Sequence, residues 1–152
     1  MKPVIDYSIY LVTDTVYFKD DSIYNKLEAA LSAGVTLLQY RDKSAETRIL
    51  YERALKVKAL CDKYRVPLII NDRADIAFAV NAAGVHLGQG DLPPLIARRM
   101  LGSDAAMFNA ILGPCDYMDV MAPDWKSAQM NIVMKDKEVN VLQLIVRGLE
   151  NL

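Results

Sequence analysis

Four short apolar runs without polar alternation constrain this chain more than any other feature: YSIYLVT at residues 7–13, VTLLQ at 35–39, PLIIN at 67–71 and VHLG at 85–88. A strand with one face in water alternates apolar and polar residues, whereas an unbroken run is expected where both faces are covered. Between the runs lie segments with helical spacing. Ser22 stands where it can cap a helix that carries Ile23, Leu27 and Leu31 on one face and ends at Gly34. Ser44 is placed to cap a longer helix whose inner stripe is Leu50, Ala54, Val57, Cys61 and Tyr64. Residues 74–83 read as a short helix stopped by Gly84, and Pro93 and Pro94 open a fourth that Gly102 ends. The first 102 residues therefore read β-α-β-α-β-α-β-α, a parallel α/β class with short, right-handed connections. The pattern alone leaves two architectures open, half of a closed barrel or a flavodoxin-like, doubly wound sheet.

The chain has 152 residues, 53% of them hydrophobic, enough for a single α/β domain with a buried core. Its 18 basic and 19 acidic residues nearly balance, which gives no electrostatic footprint for nucleic acid or an anionic membrane. No apolar run approaches the ~20 residues of a membrane span. The first residues carry no signal-peptide pattern. Cys61 and Cys115 are far apart, and Cys61 falls on an apolar helical stripe, so a buried free thiol in a reducing cytoplasm is expected.

After Gly102 the character changes. Six of the seven methionines lie between Met100 and Met134. Residues 106–112 (AMFNAIL) suggest a fifth strand, and Asp124 can cap a helix from Trp125. Val139, Leu142, Val146 and Leu149 give a narrow helical seam, with a hairpin through residues 135–137 as the weaker alternative.

Polar residues gather where the apolar runs end: Gln39-Tyr40-Arg41-Asp42-Lys43, Asn71-Asp72-Arg73 and Gly88-Gln89-Gly90-Asp91. Ligands of parallel α/β proteins bind at this end of the strands. If their strands are neighbours, Asp72 and Asp91 can converge on a hard cation, with phosphate oxygens and water completing a Mg²⁺ shell. Arg41 can grip a phosphate through its fork and Lys43 can add a point charge. Each residue also has a plain structural reading. Asp72 and Asp91 both stand two residues before a helix and could serve as N-caps. Arg41 and Lys43 could belong to a solvated loop or could pair with Asp42 and Glu46. His86, the only histidine, lies within an apolar strand and reads as structural.

YLVTD (10–14), AGVTLLQYRDK (33–43), PLIINDRADIA (67–77) and AGVHLGQGDLP (83–93) together resemble thiamine phosphate synthase (thiamine-phosphate pyrophosphorylase) in order and spacing, over residues 7–102. The resemblance implies a TIM-type (β/α)₈ barrel, of which this chain would carry the N-terminal (βα)₄ half with a C-terminal βα-like extension. It implies a transferase that joins hydroxymethylpyrimidine pyrophosphate to a thiazole phosphate, with Mg²⁺ as cofactor and pyrophosphate leaving before the thiazole nitrogen attacks. Gln39, Arg41, Lys43 and Asn71 would contact the pyrimidine and pyrophosphate, with Arg41 and Lys43 catalytic through charge stabilisation. Asp72 and Asp91 would be the metal ligands. Beyond residue 105 the family's thiazole-phosphate loop and strand-7 Gly-Gly loop are not recognisable, so full condensation is not expected.

Half a barrel needs closure, because a small barrel takes about eight strands. Its edge strands would be bare and its barrel-facing side chains would meet water. Two chains could pair as a homodimer, or residues 105–152 could complete or cover the sheet, or the sheet could rearrange as a doubly wound layer. The shift in composition suggests a recombined chain. A non-catalytic scaffold with an inherited rim is the alternative to a small-phosphate-binding enzyme fragment.

Overall fold

The structure, a computed structural model, describes residues 5–109. Cys115, the helix expected at Trp125 and the seam from Val139 to Leu149 lie outside the described residues. The elements in chain order are β1 (Tyr10–Val12), α1 (Ser22–Ser32), β2 (Leu37–Tyr40), α2 (Thr47–Tyr64), β3 (Leu68–Asn71), α3 (Ala74–Ala79), β4 (Gly84–Leu87), α4 (Pro94–Leu101) and β5 (Ala106–Asn109), with one 3₁₀ turn at Thr15–Tyr17. Several boundaries move from their expected places. Ser22 is the first residue of α1 rather than its cap, and its amide donates to Asp20 Oδ1 at 2.8 Å. Ser44 lies three residues ahead of α2, where its amide donates to Asp42 Oδ1 at 3.3 Å. The short helix ends at Ala79, and Gly84 opens β4 instead of stopping α3.

The five strands of the described residues are all parallel and their spatial order is their sequence order, β1-β2-β3-β4-β5. A doubly wound sheet reverses direction from its first strand, which places helices on both faces. That alternative is therefore overturned, since consecutive right-handed crossovers put every helix on one side. One cluster unites the inner stripes of the helices, among them Leu27, Leu31, Leu50, Ala54, Val57, Cys61 and Ala97, with Leu11, Leu38, Tyr40, Ile70, Val85 and Met107 of the strands. Cys61 is free and buried, and burial pushes its thiol up to about 12, so it is packing rather than chemistry.

The opposite, concave face is formed by the alternate residues. Leu37, Ile69 and Phe108 are buried there, packed against Ile5, Tyr7, Tyr10, Ala83 and Ala106. A flat sheet with ~4.8 Å between strands would hold β1 and β5 roughly 19 Å apart. Yet the ring of Tyr10 on β1 lies 6.1 Å from that of Phe108 on β5, and Tyr7 lies 6.0 Å from it. The sheet is thus rolled as part of a barrel wall. The expectation that the barrel-facing side chains meet water is corrected for Leu37, Ile69 and Phe108, which this aromatic cluster covers. Gly84 makes the close approach of β4 and β5 feasible: a Cβ there would lie 2.0 Å from the Ala106 carbonyl oxygen.

Candidate anion and metal rim at the strand ends

Side chains at the C-terminal ends of β1 to β4 face one another across the mouth of the rolled sheet. The alternation of β2 continues past its last residue. Tyr40 and Asp42 turn to the helices, while Gln39, Arg41 and Lys43 turn to the concave side and the mouth. Two threonines from the β1–α1 connection hold this segment by its backbone. Thr13 Oγ1 accepts from the Arg41 amide at 2.8 Å and donates to the Arg41 carbonyl at 3.1 Å, and Thr15 Oγ1 accepts from the Lys43 amide at 2.7 Å. The Arg41 guanidinium is paired with Asp14, not with Asp42 or Glu46.

Lys43 reaches across to β3, with its Nζ 3.6 Å from Asp72 Oδ2. Asp72 has a left-handed backbone (φ 63°), a conformation that costs a non-glycine residue about 1–3 kcal/mol and tends to collect at functional sites. It is held there because its amide donates to the His86 carbonyl at 2.7 Å, carrying the β3–β4 ladder one residue beyond Asn71. Partial burial raises the pKa of the Asp72 carboxyl, the adjacent Asp91 carboxyl raises it further, and Lys43 opposes both. Asp91 in turn accepts from the Gly88 amide at 2.6 Å. The N-cap readings of both aspartates fail: Arg73 and Pro93 occupy the cap positions of α3 and α4, and neither helix has a side-chain cap bond. Two carboxylates therefore meet at one mouth without being spent on helix ends.

One layer deeper, Gln39 is buried and its Nε2 donates to the Tyr10 hydroxyl and lies 3.1 Å from His86 Nδ1. Burial lowers the pKa of His86, with Asp72 and Asp91 opposing the shift, so the imidazole is neutral near pH 7. Accepting at Nδ1 assigns its proton to Nε2. The amide oxygen of Gln39 is thereby left to accept from another donor. Asn71, half-buried, stands opposite His86 in the β3–β4 register on the same face.

Every residue expected at the site from the sequence thus lies on the concave side or its mouth. Lys43 pairs with Asp72, Asp91 adjoins Asp72, Arg41 is turned toward Asp14, and Gln39 with Asn71 sits below them. Tyr10, Asp14 and His86 were not expected there. For His86 a signal existed: it shares parity with Gly84 and Gly88, whereas its neighbours Val85 and Leu87 are the helix-facing pair.

Residues 9–107 match the family model described as thiamine monophosphate synthase. The chain belongs to that family. Among similar proteins, the thiamine-phosphate synthase of Clostridium beijerinckii is 39% identical over 165 residues, covering 97% of this chain and 79% of that protein. The enzyme of Clostridium acetobutylicum is 51% identical over 100 residues, 66% of this chain and 47% of that one. A solved thiamine phosphate pyrophosphorylase from Pyrococcus furiosus superimposes with a TM-score of 0.60 at 28% identity, covering 69% of this chain and 50% of that one. The chain thus spans about half the length of the latter two proteins. The thiamine monophosphate synthase match ends near β5, as the fading of motifs after residue 105 implies. The C. beijerinckii alignment runs further, over 97% of the chain.

Proposed function

We propose that this chain binds a pyrophosphate ester together with Mg²⁺ at the mouth formed by Arg41, Lys43, Asn71, Asp72 and Asp91, as one half of a thiamine phosphate synthase site. The observation that carries the reading is the pairing of Asp72 with Asp91 beside Lys43. Two acidic groups face each other, neither capping a helix, and one is held in a strained backbone conformation. Oxygen donors of this kind suit a hard cation. Among the described residues no three His, Cys, Asp or Glu gather as a metal group, so phosphate oxygens and water would complete the shell, as Mg²⁺ favours. Bound there, Mg²⁺ would neutralise charge on the leaving pyrophosphate.

The residues of the chain have separable tasks in this reading. Lys43 and Arg41 would stabilise the negative charge that grows on the pyrophosphate as its ester bond breaks. Asn71 would hydrogen-bond the same group. Gln39, fixed by Tyr10 and His86, would present its amide oxygen to an N–H of the pyrimidine. The rolled hydrophobic layer beneath would keep water from the reactive carbon. The described residues serve one substrate, and efficient joining to a thiazole phosphate is not assigned to them. We take the chain as one α/β domain acting on small phosphorylated ligands in the cytoplasm. No helix of the described residues is long and apolar enough to cross a membrane.

Calorimetric titration of pyrophosphate with Mg²⁺ into the parent chain, Asp72→Ala and Asp91→Ala tests the proposal. Binding by the parent that is lost in both variants supports it. A well-folded parent that binds nothing makes the rim an inherited scaffold feature, and the binding reading fails.

A further inference from the structure

The phosphate reading of Arg41 and Lys43 leaves unexplained the acidic residue between them. Asp42 has a side chain with no exposure to solvent, on the helix side of the sheet. Its Oδ2 lies 2.6 Å from Nη1 of Arg53, on the second turn of α2. The other arm of the same guanidinium donates to the carbonyl of Phe18, in the β1–α1 connection, at 2.9 Å. The guanidinium carbon also sits 5.4 Å above the Phe18 ring, which in turn packs edge-on to Tyr40 at 5.1 Å. Tyr40 donates to Asp42 Oδ2 at 3.4 Å, and the Ser44 amide to Oδ1 at 3.3 Å. One arginine therefore ties α2, the end of β2 and the β1–α1 connection at a single buried point.

We infer that Arg53 is a positioning residue for the anion rim, acting through Asp42, in support of the proposed pyrophosphate site. Consecutive extended residues point to opposite sides. Fixing the Asp42 carboxylate against Arg53 therefore commits Arg41 and Lys43 to the mouth. It also keeps the one acidic side chain of this segment away from an incoming anion. A buried carboxylate that loses its partner is strongly disfavoured, so without Arg53 the Asp42 side chain would leave its pocket. Turning that residue over reverses the facing of both its neighbours, as a one-residue slip does in a strand. The threonine contacts to the Arg41 and Lys43 amides would be lost with it.

The test uses the full chain with Arg53→Met, which keeps an apolar stem on Phe18 but no fork, Arg53→Lys, and Lys43→Ala as the binding control. Amide hydrogen exchange is read at Arg41 and Lys43 against β3 amides, and inorganic pyrophosphate with Mg²⁺ is titrated calorimetrically. In Arg53→Met, exchange at Arg41 and Lys43 should quicken about tenfold while β3 keeps parental protection, and pyrophosphate affinity should fall about tenfold. Arg53→Lys should recover part of both, because an ammonium reaches Asp42 but does not also hold Phe18. Lys43→Ala should weaken binding without loosening the Arg41 amide. A folded Arg53→Met with parental exchange and parental affinity overturns the inference. If that variant does not fold, Arg53→Lys decides by the same two readouts, and parental values for both overturn it. If the parent itself binds no pyrophosphate while Lys43 and Arg41 exchange still depends on Arg53, the phosphate reading fails and the positioning of the segment stands.

Discussion

The two faces of the rolled sheet are built from neighbouring residues of the same strands, yet they obey different rules. The helix-covered face is apolar at nearly every position, and its members are large side chains close to zero exposure, such as Leu11, Leu38, Ile70, Val85 and Leu87. Burial there is its own reason, since each such side chain contributes about 1.5–3 kcal/mol. The concave face has an apolar floor of Leu37, Ile69 and Phe108, and above it a layer of Gln39, Asn71 and His86. Gln39 is held there by Tyr10 and His86, and the mouth above carries a left-handed aspartate and two facing carboxylates. One face is arranged for stability. The other holds groups that a search for stability alone would not select.

The difference should be largest between residues adjacent in sequence. Leu38→Ala, on the helix side, should cost about 2–5 kcal/mol by the cavity it leaves, as measured by urea unfolding. Gln39→Leu, one residue on and facing the other way, should cost less than about 1.5 kcal/mol, because volume is kept while one hydrogen-bonding group is removed. The same variant should lose affinity for a pyrimidine pyrophosphate. Equal destabilisation by the two would erase the distinction between the faces.

Gly84 breaks the rule that concave positions are tolerant. Its Cβ position is occupied by the backbone and side chain of Ala106, with contacts of 2.0 and 2.7 Å. Gly84→Ala should force β4 and β5 apart and destabilise by about 1–3 kcal/mol, since backbone cannot step aside as a flexible side chain can. Thermal unfolding with a parental midpoint would mean that β5 is held to the sheet only loosely.

A rim residue should show the opposite sign. Asp72→Gly removes the strain of φ 63° and separates like charges at the mouth, at the loss of one contact with Lys43. Stability without ligand should rise by about 1 kcal/mol, while Mg²⁺-pyrophosphate binding disappears. Lower stability in urea would show that the Lys43 contact outweighs the strain, and the mouth would then have to be counted with the stabilising parts of the molecule.

The apolar runs made the parallel class legible because their composition has few other uses, and the strand-end clusters marked the rim because only that end of the sheet brings them together. Barrel or doubly wound could not be read from them. That choice rests on strand order, which short right-handed connections permit in either form, and on the Tyr10–Phe108 approach between β1 and β5, the outermost strands of the described residues. The cap positions misled for a related reason. Ser22, Ser44, Asp72 and Asp91 all have the side chains of caps at the spacing of caps, but Ser22, Ser44 and Asp91 are engaged in other local turns, with Asp20, Asp42 and Gly88, and Asp72 meets Lys43 from a distant strand end. His86 was hidden by its apolar neighbours, although strand parity separates it from them. Arg53 carried no signal at all, as a basic residue on a mostly solvated helix looks the same whether or not a buried aspartate lies beneath it.

The smallest effect belongs to the outer edge of the helix layer, where charge acts in water. Lys63 on α2 pairs with Glu28 on α1, and Tyr64 donates to the same carboxylate at 3.2 Å. The hydrogen bond from Lys63, then that from Tyr64, lowers the pKa of Glu28 below its ordinary value of 4.5. A depressed carboxyl pKa means that, in the acid range, the unfolded chain binds the proton more readily than the folded one. Stability from this group is therefore present above the unfolded pKa and is lost as pH falls through the folded one. Glu28→Gln should flatten that acid limb slightly and leave stability at pH 7 nearly unchanged, because the pair is exposed and screened. Unfolding midpoints followed from pH 6 to pH 3 in parent and variant decide it. A variant with the parent's acid slope would place the acid sensitivity elsewhere, and the helix layer would owe its stability to its apolar face alone.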